Sequence, residues 1–190
     1  MRVYLVRHAQ SEENVLDLRR RMRADDFNDL LRRSPDAALT PLGVRQAHAV
    51  AATLADRGIQ RIYTSPFFRT RSTAAVIAEQ LAIEPEIVDD LREVLPQATV
   101  SHRAERSLRR FFVTSYVRML WPRGEETWLT GYRRASRAFA QITAGPADSV
   151  LAVSHRGLIG LLLLVAPRRP GWRVVRRDLS NGGVSIIASQ

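Results

Sequence analysis

Two short motifs place a histidine next to an arginine: Arg7-His8-Ala9-Gln10-Ser11-Glu12-Glu13-Asn14 near the start, and Ser154-His155-Arg156-Gly157 far downstream. Each follows an apolar run, Val3-Tyr4-Leu5-Val6 in one case and Val150-Leu151-Ala152-Val153 in the other. Runs of this kind form strands buried on both faces. A guanidinium holds phosphate oxygens with paired, charge-assisted hydrogen bonds, and an imidazole whose proton placement is fixed can attack phosphorus. A histidine taken alone is more often structural than catalytic. Two of them, each beside an arginine at a strand end, point to a phosphate site.

Such residues need a scaffold, and its elements are legible. Residues 2–6 read as a buried strand, and the polar stretch from Ser11 to Arg33 as a helical start followed by a surface loop. Thr40 as N-cap and Pro41 at the first helical position open a helix. Ala47, Val50, Ala51 and Leu54 keep its spacing, and Gly58 closes it. Ile59 to Thr64 predicts a strand, Pro66 to Leu81 a helix, and Glu86-Ile87-Val88 a short strand leading to Leu91. Leu108, Phe111, Phe112, Met119 and Leu120 predict an amphipathic helix among arginines. Glu125 to Ile142 reads as a helix, Ser149 to Val153 as a strand and Leu158 to Val165 as a buried helix. Val174-Val175 and Val184 to Ala188 read as final strands. Alternation of this kind predicts an α/β fold, a three-layer sandwich whose mostly parallel central sheet carries helices on both faces. Ligands of such sheets sit beyond the carboxyl ends of the strands, where both histidine motifs fall.

Composition narrows the function further. A chain of 190 residues is expected to form one domain, 1–190, with about 95–123 as a variable lid or insertion. The absence of cysteine excludes disulfides, thiolate metal sites and a cysteine nucleophile. Arg7 restores charge too soon for a signal core, and the longest apolar stretch, Leu158 to Ala166, falls short of the roughly 20 residues of a membrane helix. A cytoplasmic protein without a membrane partner is expected. The net charge is +10, and all 29 basic residues are arginine, most simply a coding bias. The excess still draws anions toward the surface. Its arginines are dispersed, with small clusters at 19–23, 106–110 and 173–177 and no aromatic-interleaved basic motif, which argues against nucleic acid. No heptad or long apolar edge reveals the oligomeric state.

Six blocks in order resemble the histidine phosphatase superfamily, its phosphoglycerate-mutase-like branch. Arg7, His8, Ser11 and Asn14 match an Arg-His-Gly-x-Ser-x-x-Asn opening, with Ala9 in place of glycine. Leu39-Thr40-Pro41-Leu42-Gly43 with Gln46-Ala47 is similar to the second block, and Ser65-Pro66-Phe67-Phe68-Arg69 with Thr73-Ala74 to the third. Leu91-Arg92-Glu93 stands where the family keeps its acid, although Val94-Leu95-Pro96 lacks the usual continuation. Gly124-Glu125, then Arg133, resembles the Gly-Glu-Ser helix start, with Glu126 where serine is usual. Ser154-His155-Arg156-Gly157 replaces Ser-His-Gly-Gly, and Asn181 fits a late asparagine.

The resemblance implies roles. His8 is the expected nucleophile, neutral at the attacking nitrogen, with its other N–H held by the carbonyl of Ala9. Glycine is favoured where φ is positive, so alanine at this position points to strain or a different turn. Arg7 and Arg69 would clamp the phosphoryl oxygens, with His155 as a further donor and Asn14 as a neutral one. Ser11 is expected either to touch substrate or to cap a helix. Glu93 is the expected proton donor to the leaving group, provided that burial or the substrate raises its pKa. Asp89 and Asp90 compete for that role. No metal and no other cofactor is expected, because side chains supply the cations. His48 and His102 read as solvated or structural, and Thr40 and Gly43 as a helix start.

The expected reaction is hydrolysis of a small-molecule phosphomonoester through a phosphohistidine. The alternatives are a phosphoglycerate-mutase-type phosphotransferase and a catalytically degenerate phosphate-binding module. Only Val94 to Arg123 lies between Glu93 and Gly124, little material for a mutase lid, which favours hydrolysis. The departures at Ala9, Glu126 and Arg156 keep the binding module in view. Within the lid, Arg103, Arg106, Arg109 and Arg110 could draw a second anionic group, and Phe111, Phe112, Tyr116, Met119 and Trp121 an apolar part. The simpler reading is a helix packing its apolar face on the domain.

Overall fold

A strand whose interior residues are all buried needs neighbours on both edges and cover on both faces, and Arg2–Arg7 (β1) has all four. The computed structural model describes residues 1–95, 104–121 and 126–190. After β1 come a two-residue strand, Arg21–Met22 (β2), and the helices Ala24–Arg33 (α1) and Pro41–Leu54 (α2). Strand Arg61–Thr64 (β3), helix Phe68–Leu81 (α3) and strand Pro85–Ile87 (β4) follow, then strand Arg106–Ser107 (β5) and helices Leu108–Arg118 (α4) and Trp128–Ile142 (α5). The chain ends with strand Ser149–Ser154 (β6), helix Arg156–Val165 (α6) and strands Trp172–Arg176 (β7) and Val184–Ser189 (β8).

The six-stranded sheet has the order β4-β3-β6-β1-β8-β7. Its first four members run parallel, whereas β8 and β7 return antiparallel. Alternation along β1 decides the layers. Val3 and Leu5 join Ala135, Ala138, Phe139, Leu158 and Leu162 of α5 and α6 on one face. Tyr4 and Val6 meet Val50, Leu54, Ala74 and Ile77 of α2 and α3 on the other. This is the expected α/β architecture.

The stretch from Ser11 to Arg33 differs from its expectation. A 3-10 turn at Glu12–Val15 leads to β2, and residues 24–33 form a helix rather than a loop. The cause is tertiary: Ala24 and Phe27 are buried against Leu108 and Phe111, with the Phe27 and Phe111 rings stacked at 5.0 Å. The pair β2–β5 ties the same two segments together. The start of α4 thus packs on α1, and Arg109 and Arg110 are exposed in the first turn of α4. Met119 joins the main core, and Trp121 is exposed. Helix α3 starts two residues later than Pro66, and α2 ends at Leu54, ahead of Gly58. Ser101, His102, Arg103, Gly124 and Glu125 lie outside the described residues, so the helix expected from Glu125 is described from Trp128. No helix among the described residues is long and apolar enough to cross a membrane.

Candidate active site

Register brings the two histidines together. In the parallel pair β1–β6, Arg7 stands opposite Ser154, so His8 and His155 leave the sheet on the same rung. Their rings lie 5.2 Å apart at 61°. β3 flanks β6 on the other side, and its exit delivers Ser65 and then Arg69 in the first turn of α3. β4 leads to Leu91 and Glu93, and Ser154 Oγ donates to the Leu91 carbonyl at 2.7 Å, fastening that exit to β6. Every group therefore arises at a carboxyl end of the parallel strands.

His8 is 3% exposed, and its Nδ1 lies 2.8 Å from the carbonyl oxygen of Ala9. A carbonyl only accepts, so Nδ1 carries the proton and Nε2 the lone pair. Arg69 Nε donates to that Nε2 at 3.2 Å, which agrees with this tautomer. Burial, then Arg69 and Arg7, lowers the His8 pKa to about 3, against the opposing pull of the Ala9 carbonyl. Ala9 is not strained. Among the described residues Ala82 is the non-glycine with positive φ, and the Ala9 N–H donates to Thr73 Oγ1 at 3.1 Å. The turn is instead buttressed by α2: Thr40 N–H donates to the Gln10 carbonyl, and a Cβ on Gly43 would stand 2.0 Å from that oxygen. Thr40 does cap α2, accepting from Gly43 N–H at 3.0 Å.

His155 is wholly buried, with Nε2 2.8 Å from Ser65 Oγ. Its pKa is driven well below the ordinary value, first by burial and then by Arg69, His8, Arg134 and Arg7. Its Nδ1 and Arg7 Nε are buried polar atoms without a hydrogen-bond partner among the described residues. Native proteins seldom leave such atoms unpaired, and a polar ligand would satisfy both. Arg7 Nη1 donates to the Leu179 carbonyl at 2.9 Å. Its pKa is lowered by burial and by neighbouring Arg156, with Glu93 opposing. Arg69, 2% exposed, donates from Nη1 to the Ser34 carbonyl at 2.5 Å and faces Glu13 Oε2 at 3.3 Å.

Glu93 caps the start of α6. Its Oε1 accepts from Val94 N–H at 2.8 Å and Leu158 N–H at 3.3 Å, and its Oε2 from Gly157 N–H at 3.4 Å. Helix N-termini offer such unpaired donors to a carboxylate. Burial nevertheless raises its pKa, outweighing these bonds and Arg69. Asp89 pairs with Arg92, and Asp90 with Arg137 at 2.8 Å, so both competitors are engaged in ion pairs away from the histidines.

Asn14 is exposed, and its Oδ1 accepts from Ser11 and, at 2.8 Å, from Asn181 Nδ2, which also donates to the His8 carbonyl at 3.2 Å. Ser11 is buried at the N-cap position of the 3-10 turn, where its N–H and Oγ both donate to Asn14 Oδ1. His48 is exposed on α2. The arginine expected at Arg133 is corrected to Arg134: Arg133 is exposed, while buried Arg134 pairs with Glu126 at 2.7 Å and donates to the carbonyls of Asp90, Arg92 and Glu93. Glu13 and Ser65 lie within the sequence motifs but carried no expected role there, and Ser34 lies in none; their contacts with Arg69 and His155 are set by proximity in space. Among the described residues, no group of three or more His, Asp or Glu side chains is placed to hold a metal ion.

The sequence profile described as "Histidine phosphatase superfamily (branch 1)" matches residues 3–190. The chain belongs to the histidine phosphatase superfamily. Superfamily relatives include a probable phosphoglycerate mutase GpmB of Yersinia pestis (strain Pestoides F), 31% identical over 198 residues, covering 100% of this chain and 86% of the relative. A probable phosphoglycerate mutase GpmB of Proteus mirabilis is 31% identical over 199 residues, at the same coverage. Among solved structures, a mycobacterial glucosyl-3-phosphoglycerate phosphatase superposes with a TM-score of 0.65 at 23% identity, covering 89% of this chain and 80% of that one. Phosphoserine phosphatase from Entamoeba histolytica superposes with a TM-score of 0.64 at 19% identity, covering 97% and 89%. Both likenesses support the three-layer histidine phosphatase fold.

Proposed function

We propose that the chain is a cytoplasmic, metal-independent phosphomonoester hydrolase acting on a small-molecule substrate through a phosphohistidine on His8. The observation that carries this reading is the His8 tautomer, with Nδ1–H held by Ala9 and a lone pair on Nε2 beside Arg69. In the first step Nε2 attacks phosphorus, the P–O bond to the leaving group breaks, and its electron pair goes to the leaving oxygen. Glu93, its carboxyl pKa raised by burial, donates the proton that neutralises that oxygen. In the second step Glu93 takes a proton from water, the water oxygen attacks phosphorus, and the P–N bond breaks to restore neutral His8. Arg7, Arg69 and His155 stabilise the phosphoryl oxygens, as the two orphaned buried nitrogens of Arg7 and His155 favour. Asn14 and Ser11 are the remaining substrate-side positions; the hydrogen bonds of Ser11 and Asn14 to each other favour a structural share for both.

A mutase-type phosphotransferase is the second reading, supported by the names of the 31%-identical relatives. The test is release of inorganic phosphate from a panel of phosphomonoesters in the presence of chelator, comparing wild type with His8→Ala. Turnover that disappears in the variant supports the hydrolase. Bisphosphate-dependent exchange with little phosphate released supports the mutase, and phosphate binding without either supports a degenerate module.

A further inference from the structure

Arg69 serves two partners, the neutral His8 imidazole and the Glu13 carboxylate. Its Nε faces His8 Nε2, so a phosphoryl group transferred by that nitrogen must rest against the same guanidinium. Its Nη1 is met by Glu13 Oε2 at 3.3 Å, in a pair whose side chains are only 3% and 21% exposed. An ion pair this shielded is coupled far more strongly than a surface pair. Glu13 stands in the 3-10 turn that begins four residues after His8, and its position is tied to the histidine loop by the Ser11–Asn14 bonds. It also lines a cavity of about 470 Å³ with Leu16, Leu30 and Ser34, which leaves the carboxylate room to withdraw from Arg69. Arg109 and Arg110, the sequence candidates for recruiting a second anion, are exposed at the first turn of α4.

We propose that Glu13 is the charge-selecting residue of this site: its carboxylate competes with phosphate for Arg69, weakens product binding and disfavours esters that carry a second anionic group near phosphorus. The inference rests on the phosphomonoesterase reading above. Like charges meeting on one buried guanidinium repel across a low-dielectric gap, so the ligand pays for displacing Glu13. Product phosphate, which carries no leaving group to add binding contacts, bears that cost in full and dissociates readily.

The test compares wild type with Glu13→Gln, which keeps the shape and removes the charge, and with Glu13→Ala, both checked by thermal melting. Inhibition of aryl phosphate hydrolysis by inorganic phosphate is measured together with KM and kcat. The same constants are taken for a phosphate ester bearing a neighbouring carboxylate. Both variants are expected to lower the phosphate Ki by about tenfold, and to lower KM for the carboxylate-bearing ester more than for the aryl ester. An unchanged Ki in both variants, or a KM that rises on loss of the charge, overturns the role of Glu13 while wild-type turnover leaves the hydrolase reading standing. Wild type that neither turns over nor binds phosphate overturns the hydrolase reading and this role with it.

Discussion

At the scale of single residues, the site depends on side chains whose neighbours fix one state. His8 is kept neutral by burial and flanking arginines, and is aimed by one carbonyl. Glu93 is the mirror case, a carboxyl made more basic by burial although three backbone N–H groups hold it. Gly157 makes that grip possible, since a Cβ there would lie 2.6 Å from Glu93 Oε1. Gly157→Ala is therefore expected to push the carboxylate off the helix terminus while costing the fold little, because a flexible side-chain end gives way. In the proposed mechanism Glu93 is a reacting group, and misplacing such a group by about 1 Å lowers rate by roughly 10²-fold. The loss should be large for alkyl phosphates and small for p-nitrophenyl phosphate, whose leaving group needs no proton; steady-state kcat on the two esters checks this. Equal losses on both would assign the glycine a role other than positioning Glu93. Arg7, His8 and His155 were legible as types and neighbours in sequence, and Arg69 through the resemblance of its block. Glu13 was not, because nothing in the chain marks its approach to Arg69.

At the scale of elements, strand exits do the assembling and buried polar anchors hold them. Arg134 of α5 reaches across to three carbonyls of the segment carrying Glu93 and pairs with Glu126, where the family motif has serine. Arg134→Met removes the guanidinium from its ion pair with Glu126 and from those three carbonyls. Breaking a buried pair of this kind costs about 3–5 kcal/mol. A clear fall in the denaturant midpoint is expected, together with a lower kcat, and Arg134→Lys should restore little because a point charge cannot serve four acceptors in a plane. Urea unfolding of the three proteins checks it, and a midpoint within error of wild type for Arg134→Met would show that Arg134 does not anchor this segment. Periodicity disclosed most elements, since Thr40-Pro41 and the apolar spacing after it are local signals. Helix α1 escaped because its polar sequence, Ala24-Asp25-Asp26-Phe27, becomes helical cover only once Phe27 finds Phe111 eighty-odd residues later.

For the whole molecule, burying two neutral histidines links stability to pH. The His8 pKa falls from its ordinary 6.5 to about 3, and His155 moves in the same direction. Between those values the unfolded chain binds protons that the folded chain refuses. His8 therefore contributes stability that is complete above pH 6.5 and is lost as pH falls toward 3, at about 1.4 kcal/mol per pH unit, and His155 contributes with the same sign below pH 6.5. Glu93 has the opposite sign: its raised pKa contributes stability below the ordinary carboxyl value, lost as pH rises through the raised one. Tm is expected to climb from pH 5 to 6.5, more steeply in Glu93→Gln; calorimetric melts at three pH values check this, and a flat profile would contradict it. The α/β class, the cap of α2 and the residue types proposed for a phosphate site could be read along the chain, because they follow from local pattern and from chemistry that few side chains can perform. Folding in three dimensions set which strands neighbour one another, that Arg7 and Ser154 share a rung, that Arg134 rather than Arg133 anchors the Glu93 segment, and that Glu13 sits on Arg69. Those are contacts between residues far apart in the chain, set by register and packing, and no local pattern encodes them.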